Sequence, residues 1–338
     1  MIGLKELDVS SKRVFLRADI DLVVKNGRVA ETERIELLLP TIRYLISLNS
    51  LTLIAGHIGR PQETGHFGLS TKSLATIFYS LLNLEVVHFS RLEDVELLPN
   101  TLGLLENLRF WPEEEKNDQN FSRKLALLAD VYVNEAFAAS HRAHASTVGV
   151  PGLLPHAAGF RLEKEVEVLA QVLKNPKRPF VVIIGGAKIE TKLPVIENLA
   201  KIADFVLVGG ALTRELAKRV HSSQFTVDRV LPATPAQDGM DIDAASIKKF
   251  KEIIKQAKTL IWNGPMGIFE EEKSEKGTKE IAQAVANSSA FKIVGGGETI
   301  FALKKFGVFN KMDWVSSGGG AMLEFLSGKT LPGIEALR

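Results

Sequence analysis

Short apolar runs, each closed by a charged residue or by glycines, recur along the chain, and mixed segments of helical period separate them. In the first half they read Arg13 to Arg17, Leu51 to Gly56, Leu84 to Phe89, Leu102 to Phe110 and Val131 to Phe137. In the second half they read Phe180 to Gly186, Phe205 to Gly210, Thr259 to Gly264, Phe291 to Gly297 and Trp314 to Gly320. Their Val, Ile and Leu are near-continuous rather than alternating, the pattern of strands covered on both faces by βαβ crossovers. The expected fold is therefore α/β, with two doubly wound, Rossmann-like parallel-sheet domains. A chain of 338 residues has room for two such cores. The expected limits are an N-terminal domain over 1–155, a connecting helix and hinge over 156–175, and a C-terminal domain over 176–321. The helix rests on Leu162, Val166, Leu169 and Leu173, which stripe one face before Asn175-Pro176 stops it. An ordinary crossover helix inside one domain has the same period.

Composition removes several classes of function. There are 0 cysteines, which excludes disulfides, thiolate zinc sites, iron–sulfur clusters and cysteine nucleophiles together. Lys plus Arg number 42 against 40 Asp plus Glu, so no global basic excess argues for nucleic acid, and any anion site must be local. The apolar runs are too short to cross a bilayer, and Met1-Ile2-Gly3-Leu4-Lys5-Glu6 lacks the basic end and apolar stretch of a signal peptide. The expectation is a cytoplasmic protein with neither membrane nor nucleic acid as a partner. Nothing in the sequence requires more than a monomer.

In open α/β sheets ligands bind beyond the carboxyl ends of the strands, so the residues after each run carry the most weight. The first half places Arg17 and Asp19, His57 and Arg60, Arg109, and His141-Arg142-Ala143-His144 there, with Arg34 in a connection. Guanidinium forks match carboxylate and phosphate oxygens in pairs, so this set suits a small polyanion such as a phosphorylated acid. One such arginine alone reads as a solvated surface charge; the set shares one sheet edge. His141 and His144 have a spacing open to zinc, but without cysteines or an acidic partner at matching spacing, hydrogen bonding to an anion is favoured.

The second half ends its runs in glycines instead: Gly185-Gly186, Gly209-Gly210, Gly264, Gly295 to Gly297 and Gly318 to Gly320. Glycine lets backbone N–H groups approach a phosphate, and a following helix adds its unsatisfied amides and positive dipole end. Thr299 followed by Ile300, Leu303 and Phe306 fits such a helix start. Glycine pairs also serve ordinary turns, but their number on one sheet favours a nucleotide. Gly185-Gly186-Ala187-Lys188 does not fit a Walker P-loop and no GxGxxG occurs, which weakens the P-loop and dinucleotide readings. Pro194 is best tolerated in a helix's first turn, which puts Lys192 at or near a helix start, within reach of a transferring phosphate. Glu298 in the same place would repel phosphate unless a hard cation bridges them, which points to Mg²⁺.

Taken in order, the chain carries Arg17-Ala18-Asp19, Arg34-Ile35 with Leu39-Pro40-Thr41-Ile42, His57-Ile58-Gly59-Arg60-Pro61 and Glu106-Asn107-Leu108-Arg109-Phe110. His141-Arg142-Ala143-His144-Ala145-Ser146-Thr147, Gly185-Gly186-Ala187-Lys188 through Lys192, Trp262-Asn263-Gly264-Pro265-Met266-Gly267-Ile268-Phe269-Glu270, Gly295-Gly296-Gly297-Glu298 and Ser317-Gly318-Gly319-Gly320-Ala321 follow. Together they resemble the phosphoglycerate kinase family along nearly the whole chain. The resemblance implies reversible phosphoryl transfer between 1,3-bisphosphoglycerate with ADP and 3-phosphoglycerate with ATP. It implies phosphoglycerate binding on the N-terminal domain at Asp19, Asp21, Arg34, His57, Gly59, Arg60, Arg109, His141 and Arg142. For the nucleotide it implies Gly186, Lys188, Lys192, Gly210, Asn263, Pro265, Gly267, Glu270, Gly295, Gly296, Gly297, Glu298 and Thr299, with Mg²⁺ held between Glu298 and the phosphates. The acceptor carboxylate is already ionised at neutral pH, so alignment and charge stabilisation replace a general base. Arg34 and Lys192, assisted by the amides of Gly296 and Gly297, are expected to stabilise the moving group. Hinge closure brings the ligands together and excludes water. The tail 322–338, through Leu331-Pro332-Gly333-Ile334, is expected to pack back on the N-terminal domain.

Three departures from the family pattern stand out. Asp19-Ile20-Asp21-Leu22-Val23 replaces Asp-Phe-Asn-x-Pro, setting a carboxylate where an amide normally faces an anionic substrate, which implies weaker substrate binding. Glu298 stands where Asp is usual, with a longer reach to Mg²⁺. The region 211–240 is short of the family's length, so adenine affinity and base selectivity are less secure than phosphate binding. The competing reading is a noncatalytic phosphoglycerate-binding relative with an impaired nucleotide site; retention of Lys192, Glu270 and Gly295 to Gly297 favours the enzyme.

Overall fold

In the computed structural model, which describes residues 1–22, 24–25, 28–29, 32–65, 68–213, 216 and 229–338, the apolar runs become strands. In chain order these are β1 (Arg13–Arg17), β2 (Val24–Lys25), β3 (Arg28–Val29), β4 (Leu51–Ala55), β5 (Glu85–Phe89), β6 (Thr101–Leu105) and β7 (Val131–Asn134). There follow β8 (His156–Ala158), β9 (Phe180–Ile184), β10 (Phe205–Val208), β11 (Val230–Pro232), β12 (Thr259–Asn263), β13 (Phe291–Gly295) and β14 (Trp314–Val315). One six-stranded sheet has the order β5-β6-β4-β1-β7-β8, a second the order β11-β10-β9-β12-β13-β14, and β2 with β3 forms a small antiparallel pair. Every pairing within the two large sheets is parallel. Every residue of β9 and β12 is buried, which is what a continuous apolar run between two helical layers requires. The expected α/β fold with two parallel sheets is the observed one.

The chain divides into two units, Met1–Val166 with Thr330–Arg338, and Glu167–Lys329. In the second unit the chain starts at the centre, winds outward through β9, β10 and β11, then returns to the other side as β12, β13 and β14. The reversal falls between β9 and β12, where a crevice opens outside the carboxyl ends. In the first unit β1 is the pivot, with β4, β6 and β5 on one side and β7 and β8 on the other.

The structure corrects several details. The helix expected between the domains runs Phe160–Lys174, and the division of the chain falls inside it, after Val166, rather than at 155 and 175. Its first amides are satisfied by the buried carboxylate of Glu135, which accepts from Arg161 N and Leu162 N, each at 3.1 Å for Oε2. The returning tail begins at Thr330, not 322, because the helix Gly319–Leu326 stays with the second unit, where Asn198 Nδ2 donates to the Leu326 carbonyl at 2.8 Å. Within the first unit Gly333 N donates to the Ser140 carbonyl at 2.8 Å. The strands β8 and β11 were not expected: His156-Ala157-Ala158 has no β-branched residue, and β11 ends in Pro232, whose missing N–H is harmless only at a sheet edge.

The second core supplies a test. Phe250 is 1% exposed within it, so Phe250→Ala should lower unfolding free energy by roughly 3–5 kcal/mol. Leu127→Ala, at a side chain 75% exposed, should change it by less than about 0.5 kcal/mol, both read from urea denaturation.

Candidate functional site

The loops that leave β1, β4 and β6 in the first unit are tied into one polar cluster. Arg17, the last residue of β1, is 0% exposed; its Nε donates to Ser146 Oγ at 2.8 Å and an NH2 donates to His57 Nδ1 at 3.0 Å. Arg34, on the helix Glu33–Ser47, donates to both oxygens of Asp19 at 2.8 Å. Gly59 holds a positive φ of 62°, which lets its N–H reach Asp21 Oδ1 at 2.8 Å while its carbonyl accepts from Arg109 at 2.6 Å. Arg109 also pairs with Glu115 at 3.0 Å. Arg142 Nε donates to His141 Nε2 at 3.3 Å. Arg60 instead lies exposed beside Glu63, at 2.9 Å.

This environment shifts the imidazoles and carboxylates at its centre. Burial, with Arg17, Arg109 and Arg142 adding repulsion, pushes His144 down to about 3; burial and the charges of Arg17 and Arg109 bring His57 to about 4, against the pull of Asp21. Burial raises Asp19 against the pull of Arg34. Burial also presses upward on Asp21, but His57, the Gly59 amide and Arg34 together hold it at about 2. Burial first, and then the surrounding guanidinium groups, keep these imidazoles neutral, and the same positive charges favour a bound anion over a cation. No group of three His, Asp or Glu able to hold a metal occurs among the described residues.

In the second unit the strand-end glycines surround the crevice between β9 and β12. Gly264 has a φ of 90°, and a Cβ there would lie 2.2 Å from the Gly185 carbonyl and 2.6 Å from Lys192 Nζ, so no other residue fits. The Lys192 ammonium donates to the Gly185 carbonyl. Burial, with Lys188 adding repulsion, lowers its pKa to about 8 against the pull of Glu298. A cavity of about 650 Å³ beside it is lined by Lys188, Lys192, Asn263, Gly296, Gly297, Glu298 and Thr299. An adjoining one of about 280 Å³ is lined by Gly186, Gly210, Pro265, Gly267, Glu270 and again Glu298. The helix Gly297–Lys305 starts at this lip and leaves its first amides without intrahelical partners.

Some expected residues take other positions. Gly295 lines neither cavity; its carbonyl accepts from Asn263 Nδ2 at 2.7 Å, and a Cβ on it would press on Met322. The helix carrying Lys192 runs Ile189–Leu199, so Lys192 lies in its first turn as expected, whereas Pro194 lies past that turn and removes a helical hydrogen bond. Gly319, Gly320, Leu323, Ser327 and Lys329 also line the larger cavity. The glycine cluster Gly318 to Gly320 carried a signal for the first two; nothing in the sequence singled out Ser327 or Lys329. Asp241 lines the smaller cavity and is fixed by accepting from Gly277 N at 2.7 Å and Ile242 N at 2.8 Å.

With this geometry in hand, comparison with known proteins is decisive. The family model described as phosphoglycerate kinase matches residues 4–224 and 217–329. The chain belongs to the phosphoglycerate kinase family. The phosphoglycerate kinase of Finegoldia magna is 41% identical over 387 aligned positions, covering 99% of this chain and 98% of the relative. That of Borreliella afzelii is 39% identical, covering 97% and 96%. Among solved structures, phosphoglycerate kinase from Coxiella burnetii superposes with a TM-score of 0.87 at 33% identity, covering 99% of this chain and 98% of that one. Phosphoglycerate kinase from Pyrococcus horikoshii OT3 gives 0.84 at 32% identity, covering 100% and 98%.

An alignment of 387 positions exceeds the 338 residues of the chain, so the relative carries positions with no counterpart here. The two matches to the phosphoglycerate kinase model overlap at 217–224, inside the short 211–240 region. Of that region, residues 214, 215 and 217–228 lie outside the described residues, as does Val23.

The low imidazole pKa values set a pH dependence. Folded His57 and His144 stay neutral down to about 4 and 3, while the unfolded chain protonates them from about 6.5. The unfolded state thus binds more protons in that window; stability is retained above pH 6.5 and falls progressively as pH drops toward 4. Thermal melts across this window should show a shallower decline in Tm for His144→Gln than for the wild type.

Proposed function

We propose that this chain catalyses reversible phosphoryl transfer between 1,3-bisphosphoglycerate with ADP and 3-phosphoglycerate with ATP, the glycolytic reaction of its family, as a cytoplasmic monomer. The observation that carries this reading is the division of labour. One sheet presents guanidinium groups at its carboxyl ends, while the other surrounds its switch point with glycine turns and a buried lysine. A binding protein for phosphoglycerate alone has no use for the second set.

The phosphoglycerate is held by Arg34, Arg109 and Arg142, with His57 and the Asp19 and Asp21 carboxylates orienting the polar groups. The nucleotide phosphates lie along the amides of Gly296, Gly297 and Glu298, and the nucleoside occupies the smaller cavity beside Gly210 and Glu270. Mg²⁺ enters with the nucleotide as part of the substrate, supplying charge to the phosphate oxygens. Glu298, exposed and bordering both cavities, fits that role, because an ion carried by phosphates needs only one or two protein carboxylates. Lys192, near a pKa of about 8, is mostly protonated at neutral pH and meets the transferring group as a cation. Arg34 stabilises the same charge from the acceptor side. The acyl acceptor is a carboxylate, so no side chain has to remove a proton, and the ligands' separation on two units makes closure part of the cycle.

A coupled assay with purified protein, 3-phosphoglycerate and MgATP tests the reading. Turnover is expected, and Lys192→Ala and Arg34→Ala should each reduce kcat by roughly 10²–10³-fold. Absence of turnover, with 3-phosphoglycerate still raising Tm and MgADP leaving it unchanged, would establish the noncatalytic phosphoglycerate-binding relative instead.

A further inference from the structure

The carboxylate of Glu114 is 1% exposed, lies 3.8 Å from His144 Nδ1, and hydrogen-bonds none of the groups that the proposed function gives to phosphoglycerate. Its Oε2 accepts from the Ser146 amide at 2.9 Å and its Oε1 from the Ser146 hydroxyl at 2.5 Å. That hydroxyl proton points at Glu114, so the Ser146 oxygen is free to accept, and it accepts from Arg17 Nε. Tyr132 OH donates to the Ser146 carbonyl at 2.8 Å and holds the serine in place.

A guanidinium has donors only. The Arg17 NH2 that meets His57 Nδ1 must donate to it, so Nδ1 carries a lone pair and the proton of the neutral ring sits on Nε2. That Nε2–H faces Asp21 Oδ2 at 3.6 Å, in the cluster where Arg34 and Arg109 converge. Burial raises the Glu114 pKa against the pull of Arg17 and of its two hydrogen bonds from Ser146; in the ionised form that these contacts favour, each link runs from the carboxylate to the ring.

We propose that Glu114 is a positioning residue for phosphoglycerate: through Ser146 and Arg17 it fixes His57 as the Nε2–H tautomer, so that a neutral donor, shared with Asp21, faces the anion cluster. This deepens the proposed function and rests on phosphoglycerate being the anion bound there. Without the carboxylate, the Ser146 hydroxyl is free to rotate and the buried Arg17 loses its nearest counter-charge along the chain of contacts. A ring released by Arg17 is held as Nε2–H only by Asp21 at 3.6 Å, beyond hydrogen-bond distance, and each ring whose proton moves to Nδ1 sets an Nε2 lone pair against that carboxylate and the anionic ligand. The charged groups facing His57 are Arg17 and Arg109, which oppose protonation, and Asp21, which favours it; His144 lies nearby and is itself neutral. With the ring neutral, its tautomer is the variable that Glu114 controls.

Two readouts on the full chain test this. ¹⁵N-edited NMR of the imidazole nitrogens reports the tautomer without reference to activity, and steady-state kinetics separates the KM for 3-phosphoglycerate from that for MgATP. The wild type should show Nε2–H at His57. Glu114→Gln should give mixed tautomers and raise the KM for 3-phosphoglycerate about tenfold, with the KM for MgATP unchanged. Ser146→Ala, which breaks the middle link and keeps the carboxylate, should do the same, and Ser146→Thr should restore both. A wild-type spectrum with an unchanged KM in Glu114→Gln overturns the proposal, as does an equal rise in both KM values. If Glu114→Gln does not fold, Ser146→Ala decides by the same criteria. A wild-type chain without turnover would count against the kinase reading alone, because the tautomer shift still tests the relay.

Discussion

A parallel strand covered on both faces leaves little room for charged side chains away from its ends, and this constraint organises both units. β9 and β12 are buried along their whole length, so the polar groups near them gather where the strands stop. β1 shows the limit of the rule. Arg17 still belongs to the strand and is fully buried, and it is tolerated because Ser146, Ala18 and His57 each accept one of its N–H groups. Moving that guanidinium one position earlier would put it in place of Leu16, inside the apolar core, at a penalty of several kcal/mol.

The anion cluster has to persist with no anion in it. Two unit charges about 4 Å apart interact by about 4 kcal/mol at an effective dielectric constant of about 20, so several unpaired guanidinium groups would outweigh the stability of an ordinary domain. The fold meets this by giving Arg34 both oxygens of Asp19, Arg109 the Gly59 carbonyl and Glu115, and Arg17 the Ser146–Glu114 pair. The arginines are thereby held in place before a ligand arrives. An incoming polyanion gains from donors already aimed and loses little in ordering them, which is the gain that preorganisation provides.

What was legible in the sequence follows from the range of each interaction. Central strands announce themselves in consecutive residues, and glycine turns do so in two or three, so both sheets and most of the cavity-lining residues could be read. β8 and β11, at the sheet edges, bury too little to leave a run. The tail boundary does not show in the sequence because Met322, Leu323 and Leu326 are as apolar as a returning segment would be, while a contact that ties Leu326 into the second unit comes from Asn198, 128 positions away. Ser146 stands in a quoted motif but with no role, and Glu114 in none, for the same reason: Ser146 meets Arg17 across 129 positions, a contact that no local spacing announces.

Asp21 shows how a local departure is absorbed by such distant contacts. Where the family pattern carries an amide, this chain has a carboxylate, and the sequence implies weaker binding of an anionic substrate. One oxygen is occupied by the Gly59 amide, a bond that an asparagine oxygen makes equally well. The difference lies at the other atom, which faces His57 Nε2. With Arg17 holding the proton on Nε2, an amide nitrogen in that place sets donor against donor, whereas a carboxylate oxygen is an acceptor. The charge is unfavourable to the ligand and favourable to the ring beside it, and Asp21, held at about 2, keeps that charge throughout the neutral range. Asp21 therefore matches the tautomer that the buried relay imposes, and its electrostatic penalty falls on a ligand that Arg34, Arg109 and Arg142 attract from other sides.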